Sequence, residues 1–133
     1  MNFEIVQPEG LPDPSGFSYA IGVSPGKVLY LAGQTAQASN GAIVGPGNIV
    51  RQFEQVMENF TRVLKAGGAT PANVAKMTIF VTSVPQYREN LKALGAIYRR
   101  YFDRHYPAMT LVEVRGLFDR DAMIEVEGIA VLS

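Results

Sequence analysis

The chain is 133 residues long and holds 12 lysines and arginines against 12 aspartates and glutamates, with one histidine and no cysteine. The lack of cysteine excludes a disulfide framework, a cysteine nucleophile and a thiolate metal cluster, and one histidine leaves too few ligands for an ordinary zinc site. A net charge of zero argues against nucleic acid or an anionic membrane as the main partner. The chemistry must therefore come from carboxylates, tyrosine, arginine, hydroxyls or the backbone.

Length and the N-terminal residues bear on domain number and location. A chain of this length can bury a core of its own, so we expect a single domain over 1–133, with residues 1–15 as a lead-in segment. The first five residues lack the basic and apolar regions of a secretory signal. No apolar run approaches the roughly 20 residues that a membrane-spanning helix needs. We therefore expect a cytoplasmic protein.

The first third of the chain predicts a loop and three strands. Proline and glycine crowd residues 8–16 and indicate a loop. Two β-rich runs follow at 17–23 and 27–31, and the turn tripeptide between them predicts that they pair as a hairpin. A short third strand is expected at 42–44.

A helix is predicted from residue 49 to residue 66. Apolar residues recur there at three- and four-residue spacing, so they form one stripe. Asn48 is the expected N-cap, and Gly67 and Gly68 end the helix. Thr70-Pro71 then predicts a single helical turn.

The second half predicts a strand, a helix and two final strands. Apolar residues alternate over 75–82, as in a strand. Ser83, with glutamine three residues later, predicts a capping box that opens one helix reaching Phe102. Strands are expected at 108–114 and 123–132, and the last is apolar on both faces near its end, as in a central strand.

These elements predict a single α+β domain in the order β-β-β-α-β-α-β-β. Two helices would pack on one face of a mixed sheet. The chain offers no third helix for the other face, so we expect a second subunit to cover it.

Polar residues inside strand patterns are the candidates for chemistry. Glu125 and Glu127 share one face of the last strand, about 7 Å apart. On an exposed face they would only aid solubility, whereas partial burial would raise the pKa of Glu125 and let it move protons near neutral pH. Gly33 allows either a bulge or the close approach of a ligand to backbone N–H groups. Tyr19 either presents its hydroxyl to a site or packs in the core or an interface.

A basic cluster lies near the end of the second predicted helix, formed by Arg99-Arg100 and Arg104-His105. Its simplest interpretation is a solvated helix end that complements the helix dipole. The alternative is a patch for nucleic acid.

Several segments together resemble the Rid family, the reactive intermediate deaminases, which also carry the names YjgF proteins and L-PSP endoribonucleases. They lie in the family's order from about residue 16 to the C-terminus: Leu31-Ala32-Gly33-Gln34, Ala66-Gly67-Gly68, Tyr106-Pro107-Ala108, Val112-Glu113-Val114 and Ile124-Glu125-Val126-Glu127-Gly128. The resemblance implies a chorismate-mutase-like fold and a homotrimer with small-molecule clefts between subunits. It also implies hydrolysis of 2-imino or enamine acids to keto acids and ammonia, with no cofactor, because an imine carbon is already electrophilic.

The resemblance assigns roles by position and marks departures from the family pattern. It implies Gly33 as an amide donor to substrate, and Tyr19 and Glu125 as catalytic residues. Met109 stands where the family has an arginine that grips the substrate carboxylate. Such an arginine supplies two charge-assisted hydrogen bonds of about 1.5 to 3 kcal/mol each, so its loss should weaken binding of a small imino acid about a hundredfold or more. Two further departures are Leu111, where relatives often have cysteine, and Gly95, where asparagine is common.

Other cations are candidates to replace the missing arginine. Arg115 shares the strand face of Met109 but lies six residues away, about 20 Å along the strand. Arg104 and His105 are nearer in sequence, and a neighbouring subunit is a third source.

Two hypotheses from different classes follow. The first is a Rid-type homotrimer whose cleft takes a small molecule less dependent on a carboxylate clamp, with Glu125 handling protons during hydrolytic deamination. Its lining residues would be Tyr19, Gly33, Met109, Leu111 and Glu125. The alternative is a trimer that binds a small ligand or a protein partner without catalysis. A ribonuclease is the weakest interpretation, because the chain has no basic groove and one histidine.

Overall fold

The computed structural model describes residues 3–6, 9, 12–23 and 26–133. Its strands are β1 (Phe3–Val6), β2 (Ala20–Val23), β3 (Lys27–Gln34), β4 (Val74–Val81), β5 (Ala108–Glu113) and β6 (Ile124–Leu132). Its helices are α1 (Ile49–Ala66), α2 (Val84–Glu89) and α3 (Leu91–Phe102), with a 3₁₀ turn at Pro71–Asn73. Parts of the predicted loop 8–16 and of the turn between the first two predicted strands lie outside the described residues.

The main sheet has four strands in the order β3-β6-β4-β5. β4 and β5 run parallel, and the other pairs are antiparallel. β6 is therefore internal, as its apolar pattern predicts. The α+β class and the mixed sheet are confirmed.

The core lies between this sheet and the helices. β4 and β6 contribute alternate residues, with Met77, Ile79 and Val126 almost fully buried against α1 and α3. α1 approaches the sheet so closely that a Cβ on Gly128 would lie 2.8 Å from the ring of Phe60. Among the residues that the structure describes, no helix has both the length and the apolar character to cross a membrane.

The first helix has the predicted bounds and caps. The Oδ1 atom of Asn48 accepts a hydrogen bond from the backbone N–H of Arg51 at 3.0 Å. Gly67 is the C-cap, and Gly68 follows with φ +83°, a conformation that favours glycine. The single turn after Thr70 is also confirmed.

The single helix predicted after Ser83 is wrong, because the structure has two helices that meet at Asn90. The side chain of Asn90 donates to the carbonyl oxygen of Gln86 at 2.8 Å, so it takes the acceptor that a continuing helix would give to the Asn90 backbone. The backbone N–H of Asn90 bonds instead to Tyr87. This is the usual competition between a short polar side chain and helix hydrogen bonds. The cap at Ser83 is present, since its Oγ accepts from the backbone N–H of Gln86.

The predicted hairpin between 17–23 and 27–31 is also wrong. β2 pairs with β1, a strand inside the lead-in segment that the sequence pattern did not predict, and β3 pairs with β6 over its length. Ser18 bridges to Ala108, so this segment lies beside β5 rather than β3. Long-range pairing with two other strands has replaced the local turn as the organising contact.

The third strand predicted at 42–44 is reduced to one bridge between Gln37 and Ile43. Gly41, Gly45 and Gly47 surround it with positive φ angles. These turns leave no room for an extended run.

The face of the sheet away from the helices stays open in the part of the chain that the structure describes. Tyr30 is 80% exposed there, and Val28 and Val112 are also exposed. Glu125 shares this face, because it pairs with Phe80 of β4, whose side chain is on the opposite side of the strand from buried Ile79 and Val81.

Candidate functional site

Glu125 lies near the start of β6, beside Phe80 of β4. It is half-buried, and that burial raises the pKa of its carboxyl group. The negative charges of Glu127 and Asp119 raise the same pKa further. The partial burial considered from the sequence is therefore present, and the group holds its proton to a higher pH than an exposed glutamate.

Gly33 provides the space that Glu125 occupies. A side-chain Cβ built on Gly33 would overlap the Oε2 atom of Glu125. The pairing of β3 with β6 is also irregular between Leu31 and Gln34, which interrupts the regular backbone hydrogen bonds at this point. Gly33 therefore lies at an irregularity in the strand pairing, which is one of the two alternatives, and the group that approaches it in this structure is the Glu125 carboxylate. The approach of a ligand to its backbone N–H stays a prediction.

A buried glutamine supports this region from α1, and the sequence pattern alone did not single it out. The side chain of Gln52 is fully buried. Its Nε2 donates to the carbonyl oxygens of Gly45 and Asp121, at 3.1 and 2.8 Å, and its Oε1 accepts from the backbone N–H of Met123 at 2.8 Å. It therefore holds the loop before β6, two residues from Glu125. The available signal was a polar residue inside the apolar stripe of α1, between Ile49 and Val56.

Met109 and Leu111 lie on the other face of the sheet from Glu125. They pair with Met77 and Ile79 of β4, whose side chains face the helices. Leu111 packs against the core, whereas Met109 lines a cleft. One chain therefore does not bring Met109 and Glu125 together.

The cleft lies between β5, the two helices after Ser83 and the end of the lead-in segment, and has a volume of about 340 Å³. Its lining is mostly aromatic and aliphatic, with one arginine: Ser15, Gly16, Phe53, Ile79, Tyr87, Leu91, Leu94, Gly95, Tyr98, Arg99, Tyr106 and Met109. Burial raises the pKa of both Tyr87 and Tyr98, so both stay neutral. Met109 and Gly95, two departures from the family pattern, thus line the same cleft.

Tyr19 is held by the lead-in segment. Its hydroxyl donates to the carbonyl oxygen of Pro12 at 2.6 Å, and its ring packs edge-on against Phe17. Its neighbour Ser18 bridges to Ala108 of β5, and β4 lies between β5 and the β6 strand that carries Glu125, so Tyr19 and Glu125 lie at different strands of the sheet.

The basic cluster is partly neutralised. Arg100 pairs with Glu54 of α1 at 2.7 Å, and the Nε2 atom of His105 lies 2.6 Å from the carbonyl oxygen of Val74. Neither Arg104 nor Arg115 lines the cleft beside Met109. Arg99 does, and it was not among the cations considered from the sequence.

Comparison with known proteins places this chain in a family. Residues 12–132 match the family model described as Endoribonuclease L-PSP. The chain is 34% identical to the RutC family protein slr0709 of Synechocystis over 134 residues, which cover 99% of this chain and 98% of that protein. It is 31% identical to the 2-iminobutanoate/2-iminopropanoate deaminase of Mus musculus over 114 residues, 85% of this chain and 80% of the mouse protein. The crystal structure of YyfB from Yersinia pestis, a Rid family protein of unknown function, superposes with a TM-score of 0.87 at 34% identity and covers 99% of this chain and 100% of that one. The chain therefore belongs to the Rid family, whose family model carries the description Endoribonuclease L-PSP.

Proposed function

We propose that this chain is a homotrimer that hydrolyses an imine or enamine at clefts between its subunits, giving a carbonyl product and ammonia. The observation that carries the proposal is the Glu125 carboxyl, which is half-buried against the bulge at Gly33 and has a raised pKa. A carboxyl group whose pKa is raised toward neutral pH is better suited than an exposed glutamate both to take and to give a proton.

Hydrolysis of an imine depends mainly on these proton transfers. Water adds to the C=N carbon, and Glu125 takes a proton from the attacking water and passes it to the nitrogen. The resulting carbinolamine then passes its hydroxyl proton to the nitrogen, the C–N bond breaks, and ammonia leaves as the hydroxyl oxygen becomes the carbonyl. For an enamine, protonation of the carbon and loss of one N–H proton first give the imine. The protein's part is to hold the substrate, place the water and handle protons.

Assembly from several subunits is part of the proposal, because the two halves of the site lie on opposite faces of one chain. Glu125 and Gly33 belong to the open sheet face, and Met109 belongs to the helix face. Exposed Tyr30, Val28 and Val112 on the open face favour burial against another copy. The proposal requires an arrangement in which the Glu125 of one subunit lies next to the cleft of another.

The direct test is turnover. Purified protein would be mixed with 2-aminoacrylate and 2-iminobutyrate as a pyridoxal-phosphate dehydratase generates them, and release of keto acid would be followed. We expect acceleration by the wild type, loss of at least 100-fold in Glu125→Gln, and no change in the control Glu89→Gln, an exposed carboxylate on α2. Full activity of Glu125→Gln would overturn the role of Glu125.

A second candidate is a trimer that binds a small molecule without turnover, and Met109 favours it. A methionine offers the substrate carboxylate no hydrogen bond, only an adaptable apolar wall. Met109→Arg separates the two functions. A wild type without turnover and a Met109→Arg variant with it would support a binding protein that has diverged from a deaminase. Wild-type turnover that exceeds that of Met109→Arg would overturn this candidate.

A further inference from the structure

Arg99 and Met109 both line the cleft. Arg99 lies one helical turn after Gly95, and its Nη1 atom would be 3.3 Å from a Cβ built on Gly95. The guanidinium group is therefore folded back along α3, over the space that the glycine leaves empty. An asparagine at position 95 would occupy this space and push the guanidinium group away.

This guanidinium group has no ion pair and no hydrogen bond within the part of the chain that the structure describes. Its neighbour Arg100 differs, since its Nη2 atom lies 2.7 Å from Glu54. Two consecutive arginines thus have different surroundings. Glu54 of α1 neutralises Arg100, whereas Arg99 is a positive charge at the cleft with no ion-pair partner among the described residues.

The rest of the cleft suits an apolar body. Leu94 and Tyr98 are buried in its floor, and Leu91 is 57% exposed at its edge. The hydroxyl of Tyr98 is already used, since it donates to the carbonyl oxygen of His105. A volume of about 340 Å³ has room for about ten water-sized groups. A three-carbon acid would fill only part of this volume.

We propose that Arg99 binds the carboxylate of the ligand in this protein, and that the ligand is a monocarboxylic acid with a bulky apolar or aromatic side chain packed on Met109. The guanidinium group can form paired hydrogen bonds with a carboxylate. The flexible thioether of Met109 adapts to an apolar group. The inference rests on the proposed function only in taking the acid to be the 2-imino or enamine acid that is hydrolysed.

The test measures binding, with stable keto acids as probes. Phenylpyruvate, pyruvate and the uncharged ketone phenylacetone would be titrated into the full chain by calorimetry. We expect phenylpyruvate to bind at least tenfold more tightly than either of the other two. Pyruvate lacks the ring that packs on the cleft wall, and phenylacetone lacks the carboxylate.

Variants identify the cation. Arg99→Gln should weaken phenylpyruvate binding by about 10-fold to 100-fold and leave phenylacetone binding unchanged. Arg100→Gln is the matched control and should bind phenylpyruvate as the wild type does. Gly95→Asn, which displaces the guanidinium group, should weaken phenylpyruvate binding as well. Equal phenylpyruvate affinity in the wild type and Arg99→Gln would overturn the inference, as would equal losses in the two arginine variants.

The same variants separate this inference from the proposed function. If phenylpyruvate binding depends on Arg99 but the protein turns over no imine, the result would support carboxylate binding by Arg99 in the cleft and overturn the proposed deaminase activity. Turnover of 2-iminobutyrate that is lost in Glu125→Gln and unchanged in Arg99→Gln, with no preference for phenylpyruvate, would do the reverse.

Discussion

At the residue scale, the carboxylate of Glu125 fills the space that a side chain at position 33 would take. Gly33→Ala must therefore move the carboxylate, and we expect kcat/KM for imine hydrolysis to fall at least tenfold with little loss of thermal stability. Gly116→Ala is the control, because a Cβ there meets nothing within 4 Å. Steady-state kinetics and thermal melts on both variants decide the point. Unchanged kinetics in a folded Gly33→Ala protein would show that the carboxylate position is immaterial.

The pH dependence of the reaction also belongs to single residues. Burial raises the pKa of Glu125 most, and the charge of Glu127 adds to it, so Glu127→Gln should lower that pKa. If the ionised carboxylate is the base, activity rises with pH through this pKa. In Glu127→Gln the acidic limb of the kcat/KM profile should therefore move to lower pH, while the value of kcat/KM on the plateau at higher pH stays unchanged. A raised folded-state pKa also means that the contribution of Glu125 to stability is present at low pH and is lost as pH rises through that pKa. Profiles that coincide would show that the limb belongs to another group.

At the scale of elements, Gln52 connects α1 to the loop that leads into β6. Gln52→Leu leaves the Met123 N–H and the Asp121 carbonyl without their partner, so the free energy of unfolding should fall by about 1 to 3 kcal/mol. Gln55→Leu is the matched control on the same helix, since within the described ranges the side chain of Gln55 bonds only to that of Asn59. It should cost about 0.5 kcal/mol or less. Urea denaturation measures both variants. Equal losses would mean that the buried contacts add nothing.

Local signals predict some of these elements well, and others depend on partners far along the chain. α1 follows from its apolar stripe, Asn48 and the two glycines, all of which act within a few residues. The helix breaks at Asn90 because its side chain, and not its backbone N–H, donates to the carbonyl oxygen of Gln86. The apolar periodicity of the sequence contains no information about which of these two donors bonds. The pairing of β2 with β1 is decided by tertiary contacts, not by the turn that follows β2.

The candidate site was predictable in the same uneven way. Strand alternation identified Glu125, and the glycine after an apolar run identified Gly33, but neither pattern shows that the two touch across a bulge. Met109 was assigned by resemblance. Its separation from Glu125 follows from the parallel register of β5 on β4, which no local pattern contains. The sequence does not distinguish Arg99 from Arg100 in the basic cluster, because only the fold shows that Glu54 pairs with Arg100.

At the scale of the whole molecule, two exposed valines offer a matched test of assembly. Val112 is 37% exposed on the open sheet face, and Val63 is 38% exposed on α1. If three copies bury the open face, Val112→Lys puts a charge into an apolar interface, which is costly without a partner, whereas Val63→Lys stays in water. Sedimentation equilibrium should show a trimer for the wild type and for Val63→Lys, and smaller species for Val112→Lys. Imine turnover should be lost together with the trimer, because the Glu125 of one subunit then no longer meets the cleft of another. A monomeric wild type with full turnover would place the whole site within one chain, and a trimer that survives Val112→Lys would mean that another surface joins the subunits.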